Sequence, residues 1–183
     1  GRIALTTLFE RKEKIKKESE EDIPIVELQK ALTIIAALRK METERIDAIG
    51  HSEGGLILAI AASLYPEKFR NIVFVSPAGM VGQDSYLDLI KRFTTDQGMQ
   101  ELKDMKKSKI KDFYDYLKGV SQYILKNPSL AGEEIKAISQ MDIFEMTKYL
   151  KEKGVGIGFV CGAHDKVFPI EKVLEYANRN NLD

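Results

Sequence analysis

The stretch with the clearest chemical character is residues 50–55, Gly-His-Ser-Glu-Gly-Gly, which lies between two apolar runs. A serine with glycines two residues before and two residues after it is typical of a tight strand-to-helix turn, because small residues let the strand and helix approach closely. The turn exposes the serine hydroxyl, and the next backbone N–H can stabilise an oxyanion. We predict Ser52 as a nucleophile, Glu53 as an oxyanion donor, and Gly50, Gly54 and Gly55 as the glycines of the turn. The alternative is a glycine-rich turn without catalysis.

Asp165 is the second candidate, because it follows the apolar run 155–162, which predicts a buried strand. A carboxylate just past a strand of a parallel sheet lies at the edge where ligands bind, which is also the edge of the serine turn. Serine followed by aspartate is the chain order of one type of catalytic triad. We therefore predict Asp165 as the acid of a triad. The alternative is a surface aspartate in a turn.

The two histidines of the chain, His51 and His164, do not suit the catalytic base. A triad needs the imidazole between the nucleophile and the acid, whereas His51 adjoins the serine and His164 adjoins the aspartate. Packing or loop roles are favoured for both. The single cysteine, Cys161, is predicted to be an inert packing residue of a buried strand.

The segments around the serine turn predict alternating strands and helices. Apolar residues recur at helical spacing over 24–40, and an alanine-rich helix is predicted over 56–64. The short apolar run 46–49 predicts a strand buried on both faces, and residues 71–76 predict the next strand. Strand, helix and strand joined by short links are typical of a parallel sheet with right-handed crossovers.

The pattern changes between residues 80 and 140, where charged helical segments predict a helical cap inserted into the sheet. A helix over 141–153, the strand at 155–162 and a helix over 170–177 then return to the sheet. We therefore expect an α/β core of residues 1–79 and 141–183. The aromatic side chains of the cap either face an apolar acyl pocket or pack the cap on the sheet; they are Tyr86, Phe93, Phe113 and Tyr114.

Composition excludes several function classes. The chain has 183 residues, with 28 Lys and Arg against 28 Asp and Glu, so no global field favours nucleic acid. The charged segment 10–22 and the lysine-rich segment 103–109 are predicted to be solvated. No run is apolar for long enough to span a membrane, and no metal-ligand spacing or phosphate-binding loop is present. We expect no metal, no cofactor, and a cytoplasmic location, since one cysteine fits a reducing compartment.

Together the two motifs resemble the α/β-hydrolase family. Residues 50–55 are similar to its G-H-S-x-G-G nucleophile elbow, and residues 162–169 to its G-x-x-D-x-x-x-P acid loop. The resemblance implies an α/β fold with a central parallel sheet and an inserted helical cap. It also implies that Ser52 is the nucleophile, Asp165 the acid and the Glu53 amide one oxyanion donor.

In that family the base histidine follows the acid by a further helix and strand, and the second oxyanion donor follows an early strand. The resemblance therefore implies a histidine beyond Asp183 and a donor before Gly1, so we expect a fragment lacking both ends that is inactive alone. The expected function of the parent protein is hydrolysis of a carboxylic ester with a small or medium-chain acyl group. The alternatives are a non-catalytic binding module of the same fold, a C–C bond or thioester hydrolase, and a peptidase. A nucleotide-binding domain is disfavoured because the G-x-G-x-x-G spacing is missing.

Overall fold

A parallel sheet forms the centre of the protein. The computed structural model describes residues 23–41, 44–81, 85–97 and 110–179. Its strands are β1 (Ile46–His51), β2 (Phe69–Val75) and β3 (Gly156–Val160). They pair in the order β1-β2-β3, all parallel, with Gly50 opposite Phe74 and Phe74 opposite Phe159. The middle strand, β2, therefore separates the strand that precedes Ser52 from the strand that precedes Asp165.

Seven described α-helices surround or follow these strands. In chain order they are α1 (Ile25–Lys40), α2 (Glu53–Leu64), α3 (Tyr86–Lys91), α4 (Ile110–Lys126), α5 (Pro128–Gln140), α6 (Phe144–Glu152) and α7 (Ile170–Arg179). A 3₁₀ turn at Pro66–Lys68 follows α2, and a π-helical segment at Arg92–Gln97 follows α3. The α/β fold predicted from the sequence is confirmed, with element ends shifted by one to three residues.

Helix α2 is the most buried helix of the core. It is apolar on all sides and packs against α1, β1, β2 and α6, as expected for a helix without a polar face. Helix α1 covers it with Ala31, Ile35 and Leu38, all buried. Helix α2 ends before Pro66, because proline disfavours the helical conformation of the residue that precedes it. The serine turn is therefore anchored on a helix embedded in the core.

The predicted burial of β1 on both faces is wrong. Ile46 and Ala48 pack against the core, whereas Asp47 is exposed and Ile49 is 76% exposed. Side chains alternate between the two faces of a strand, so only one face of β1 is covered by described residues. The predicted buried strand at β3 is also only half covered, since its central residues are half-buried and Val160 at its end is 55% exposed.

Helices α3, α4 and α5 form an insertion between β2 and β3, which we call the helical insertion (described at 86–97 and 110–140). Helix α5 packs against α1, α3 and α4 and so connects the insertion to the core. Tyr114 is 66% exposed, which does not support its predicted place in an apolar pocket. The side chains of the other three predicted pocket aromatics, and the segments 10–22 and 103–109, lie outside the described residues.

Candidate active site

Ser52 occupies the corner between β1 and α2 in a strained backbone conformation, with φ 54° and ψ −128°. A residue with a β-carbon rarely adopts this region unless its surroundings fix it. Three backbone hydrogen bonds do so. The Ser52 N–H donates to the Val75 carbonyl at 3.0 Å, and the Ser52 carbonyl accepts from the N–H groups of Gly55 and Ala78 at 2.9 and 3.1 Å. The corner is thereby tied to β2 and to the loop that follows it.

Two glycines allow the close contact of strand and helix at this corner. A β-carbon on Gly50 would lie 2.8 Å from the Gly54 carbonyl oxygen and 2.8 Å from the Gly55 Cα, and a β-carbon on Gly55 would lie 2.8 Å from the Pro77 Cβ. At Gly54 a β-carbon would meet no described atom within 4 Å. The predicted need for a small residue at Gly54 is therefore wrong, because that residue faces outward and Gly55 makes the close contact.

A second strained serine, Ser76, lies at the same edge of the sheet directly after β2. Its φ is 38° and its side chain is nearly buried. The Ser76 N–H donates to the Val160 carbonyl at 2.8 Å, and its hydroxyl oxygen accepts from the Gly162 N–H at 3.4 Å. Sequence reasoning missed this residue, since no local pattern marks a serine with positive φ. Ser76 connects the elbow side of the edge to the strand that precedes Asp165.

Asp165 is held in a tight turn after β3. Its N–H donates to the Gly162 carbonyl at 3.1 Å, and its Oδ1 accepts from the N–H groups of Val167 and Phe168, each at 2.9 Å. Because β2 lies between β1 and β3, Ser52 and Asp165 follow strands two positions apart, or roughly 10 Å. A side chain that contacts both residues must bridge that gap.

Neither imidazole of the chain is placed as that bridge. His51 and His164 are both exposed, and within the described part of the chain no hydrogen bond joins either of them to the side chain of Ser52 or Asp165. Cys161 is half-buried just after β3. Burial, reinforced by the charge of Asp165, raises the pKa of its thiol, which favours the protonated and unreactive form.

The segment that contains β1, Ser52 and α2 matches a known protein family. Residues 12–102 match the family model of the alpha/beta hydrolase fold, a segment that includes the elbow and β2. The chain belongs to the α/β-hydrolase fold family. Members of this family are generally hydrolases. A comparison with curated proteins finds no significant match.

The corner at Ser52 is joined to the helical insertion through a cluster around Lys30 of α1. The Lys30 Nζ lies 3.3 Å from Glu27 Oε1 and 2.6 Å from Glu134 Oε1, and it also contacts Glu53 Oε1. Glu53 directly follows Ser52, and Glu134 belongs to α5. We call Glu27, Lys30, Glu53 and Glu134 the Lys30 cluster. Only its Glu27–Lys30 pair, three residues apart on one helix, has a local sequence signal.

The Lys30 cluster contains more acidic groups than basic ones, since one ammonium faces three carboxyl groups. Glu27 is 0% exposed, and within the described residues its Oε2 has no hydrogen-bond partner. Burial, reinforced by the charge of Glu53, raises the pKa of Glu27 to about 7. Burial alone would lower the pKa of Lys30. The hydrogen bonds from its ammonium to Glu134 and Glu53 outweigh this effect, so the pKa of Lys30 is raised. Lys30 is therefore cationic at neutral pH, whereas Glu27 is only partly ionised.

A further contact joins the insertion to the turn that contains Asp165. The Arg92 Nε, in the π-helical segment, donates to the Val167 carbonyl at 3.0 Å. Val167 also donates its N–H to Asp165. The insertion therefore contacts the corner at Ser52 through the Lys30 cluster and the Asp165 turn through Arg92.

The described residues offer no group of three or more His, Cys, Asp and Glu side chains that could bind a metal ion. Among the helices that the structure describes, none combines the length and apolar character needed to cross a membrane.

Proposed function

We propose that the protein is a serine hydrolase that cleaves a carboxylic ester by acyl transfer, with Ser52 as the nucleophile. The observation that carries this proposal is the strained conformation of Ser52, fixed by three hydrogen bonds at the carboxyl edge of the sheet. Strained residues cost stability and persist mainly where function needs them. This strain supports an active-site role for Ser52, although a binding module of the same fold that kept the corner would share it.

In the proposed reaction the Ser52 hydroxyl oxygen attacks the ester carbonyl carbon, and a histidine accepts the hydroxyl proton. The carbonyl oxygen becomes an oxyanion, which accepts a hydrogen bond from the Glu53 N–H at the amino end of α2. The tetrahedral intermediate expels the alcohol, which takes the proton from the histidine. Water then attacks the acyl-serine by the same route and releases the acid.

The proposed role of Asp165 is to orient that histidine. Its Oδ1 is already occupied by two backbone N–H groups, so Oδ2 is the oxygen proposed to accept from the imidazole. Since both histidines of the chain are exposed and adjoin the residues they would have to bridge, we propose that the base lies beyond Asp183 in the full-length protein. The helical insertion is proposed to act as a cap over the site.

A panel of p-nitrophenyl esters of increasing acyl length, tested on the full-length protein, examines this proposal. We expect hydrolysis that Ser52→Ala abolishes. The matched control is Ser63→Ala, which removes a buried hydroxyl from the same helix at a distance from the elbow and should leave the rate unchanged. Equal rates for Ser52→Ala and wild type would rule out Ser52 as the nucleophile. Absence of hydrolysis of every ester would favour a binding module or one of the other hydrolase chemistries of the fold.

A further inference from the structure

Glu53 combines two groups with opposite effects on an oxyanion. Its backbone N–H is the proposed donor, but its side chain carries a negative charge on the same residue. A carboxylate near a developing oxyanion raises the energy of the transition state, most strongly where water is excluded. An ionised Glu53 is therefore compatible with catalysis only if its charge is balanced, and the Lys30 ammonium contacts its Oε1.

The same ammonium also contacts the helical insertion. It lies 2.6 Å from Glu134 Oε1 on α5, and Glu134 Oε2 accepts a hydrogen bond from the Tyr123 hydroxyl of α4 at 2.7 Å. Glu134 is mostly buried, at 15% exposed, so this ion pair is screened less than a surface pair. The pair formed by Lys148 and Glu145 offers a contrast, with a separation of 3.9 Å and both side chains exposed.

We propose that Lys30 is a positioning residue of the active site, which balances the Glu53 carboxylate beside the oxyanion site and holds α5 against the elbow. The charge-balancing role rests on the proposed function, since it requires Glu53 to be the oxyanion donor. The contact with α5 does not depend on the reaction. The two roles can therefore be tested separately.

The first test compares ester hydrolysis by the full-length wild type, Lys30→Met, Lys30→Arg, Lys30→Met with Glu53→Gln, and the control Lys148→Met. We expect Lys30→Met to lower kcat by about 10-fold to 100-fold with a smaller change in KM, as for an interaction that matters in the transition state. Lys30→Arg should keep most of the rate because it keeps the cation. Adding Glu53→Gln to Lys30→Met should restore most of kcat, since the unbalanced carboxylate is then removed.

The second test measures amide hydrogen exchange in the peptides that cover α5. We expect Lys30→Met to speed exchange in α5 by about 10-fold or more, while β2 stays protected and shows that the variant is folded. Lys148→Met should leave α5 unchanged. If Lys30→Met does not fold, Glu134→Gln breaks the same contact from the other side and should give the same local result.

Two results would overturn the proposal. One is wild-type kcat together with unchanged α5 exchange in Lys30→Met. The other, which removes the charge-balancing role, is a double variant no faster than Lys30→Met, because the loss of kcat would then not come from the charge of Glu53. If the wild type hydrolyses no ester, the proposed function fails on its own, and α5 exchange still decides whether Lys30 holds the insertion.

Discussion

The two ends of the sheet differ in how they carry their polar residues. At the amino end, Asp47 accepts hydrogen bonds from Arg70 Nε at 2.9 Å and Asn71 Nδ2 at 2.8 Å, and the Asp47 and Arg70 side chains are 51% and 60% exposed. These contacts lower the pKa of Asp47 to about 2, with Arg70 as the main cause. At the carboxyl end, Ser52 and Ser76 both have positive φ. The polar side chains of the amino end are therefore exposed and paired, whereas the two serines of the carboxyl end have a strained backbone.

The Lys30 cluster adds a second difference between the two ends, because it places buried charge near the carboxyl end. It lies beside the carboxyl end of β1 and contains Glu27, a buried carboxyl group with one oxygen that lacks a partner among the described residues. Exposed ion pairs contribute little to stability, whereas strain and buried charge lower it. Proteins retain backbone strain and buried charge, despite the lost stability, where function requires them. Substitutions should therefore have large effects at the carboxyl end and small effects at the amino end.

The largest effect is expected from Gly50→Ala. The new β-carbon would lie within 3 Å of backbone atoms of Gly54 and Gly55, which cannot move without displacing α2. We expect the free energy of unfolding to fall by about 3 kcal/mol in urea denaturation. Gly54→Ala is the matched control, since its β-carbon meets open space; it should change stability by less than about 1 kcal/mol, in the stabilising direction. Equal losses for both variants would contradict the described packing of the elbow.

The next effect is a change in pH dependence on Glu27→Gln. The pKa of Glu27 is raised from 4.5 to about 7 in the folded protein, so folding favours its protonated form. Its contribution to stability is fully present below pH 4.5 and is lost as the pH rises through 7. Glutamine stays neutral beside Lys30, Glu53 and Glu134. We therefore expect Glu27→Gln to be more stable than wild type by about 2 kcal/mol at pH 8, with the difference vanishing near pH 4.5. If urea denaturation gave the same difference in free energy of unfolding between Glu27→Gln and wild type from pH 4.5 to pH 8, the raised pKa of Glu27 would be contradicted.

A smaller effect should come from relieving the strain at Ser52. Glycine adopts positive φ without a clash of its side chain, whereas alanine keeps the β-carbon. We expect Ser52→Gly to be more stable than Ser52→Ala by about 1 kcal/mol, because the relief exceeds the greater chain entropy of unfolded glycine. Thermal unfolding of the two variants measures this difference. A Ser52→Ala protein at least as stable as Ser52→Gly would mean that the corner is not strained.

The smallest effect is expected from Asp47→Asn at the amino end. Both charged partners are exposed, so the change in unfolding midpoint at neutral pH should be within experimental error. Because the pKa of Asp47 is lowered from 3.8 to about 2, its small contribution is present above pH 3.8 and is lost as the pH falls through 2. A loss as large as that of Gly50→Ala would remove the contrast between the two ends.

Sequence reasoning located those parts of the site that have local signals. The glycine spacing around Ser52 predicted the corner, and apolar periodicity and Pro66 predicted α1 and the end of α2. Asp165 was predicted from its position after an apolar run, and it does lie at the carboxyl end of β3. Its role in a triad, like that of Ser52, stays a prediction.

The remaining features depend on tertiary packing and had no local signal. The pairing of Lys30 with Glu134 joins helices that are distant in the chain, so only their packing brings the charges together. The positive φ of Ser76 is imposed by its hydrogen bonds to the neighbouring strand and loop. The wrong prediction for β1 has a similar origin, because an apolar run does not reveal how many of its faces other elements cover.

Reaction of the full-length protein with a fluorophosphonate probe tests whether Ser52 is a nucleophile. If Ser52 is a nucleophile activated at this corner, peptide mapping should find one label per chain on Ser52, lost in Ser52→Ala and kept in Ser63→Ala. If Ser52 stays unlabelled under conditions that label a control esterase, the strained corner does not serve nucleophilic catalysis and the account is contradicted.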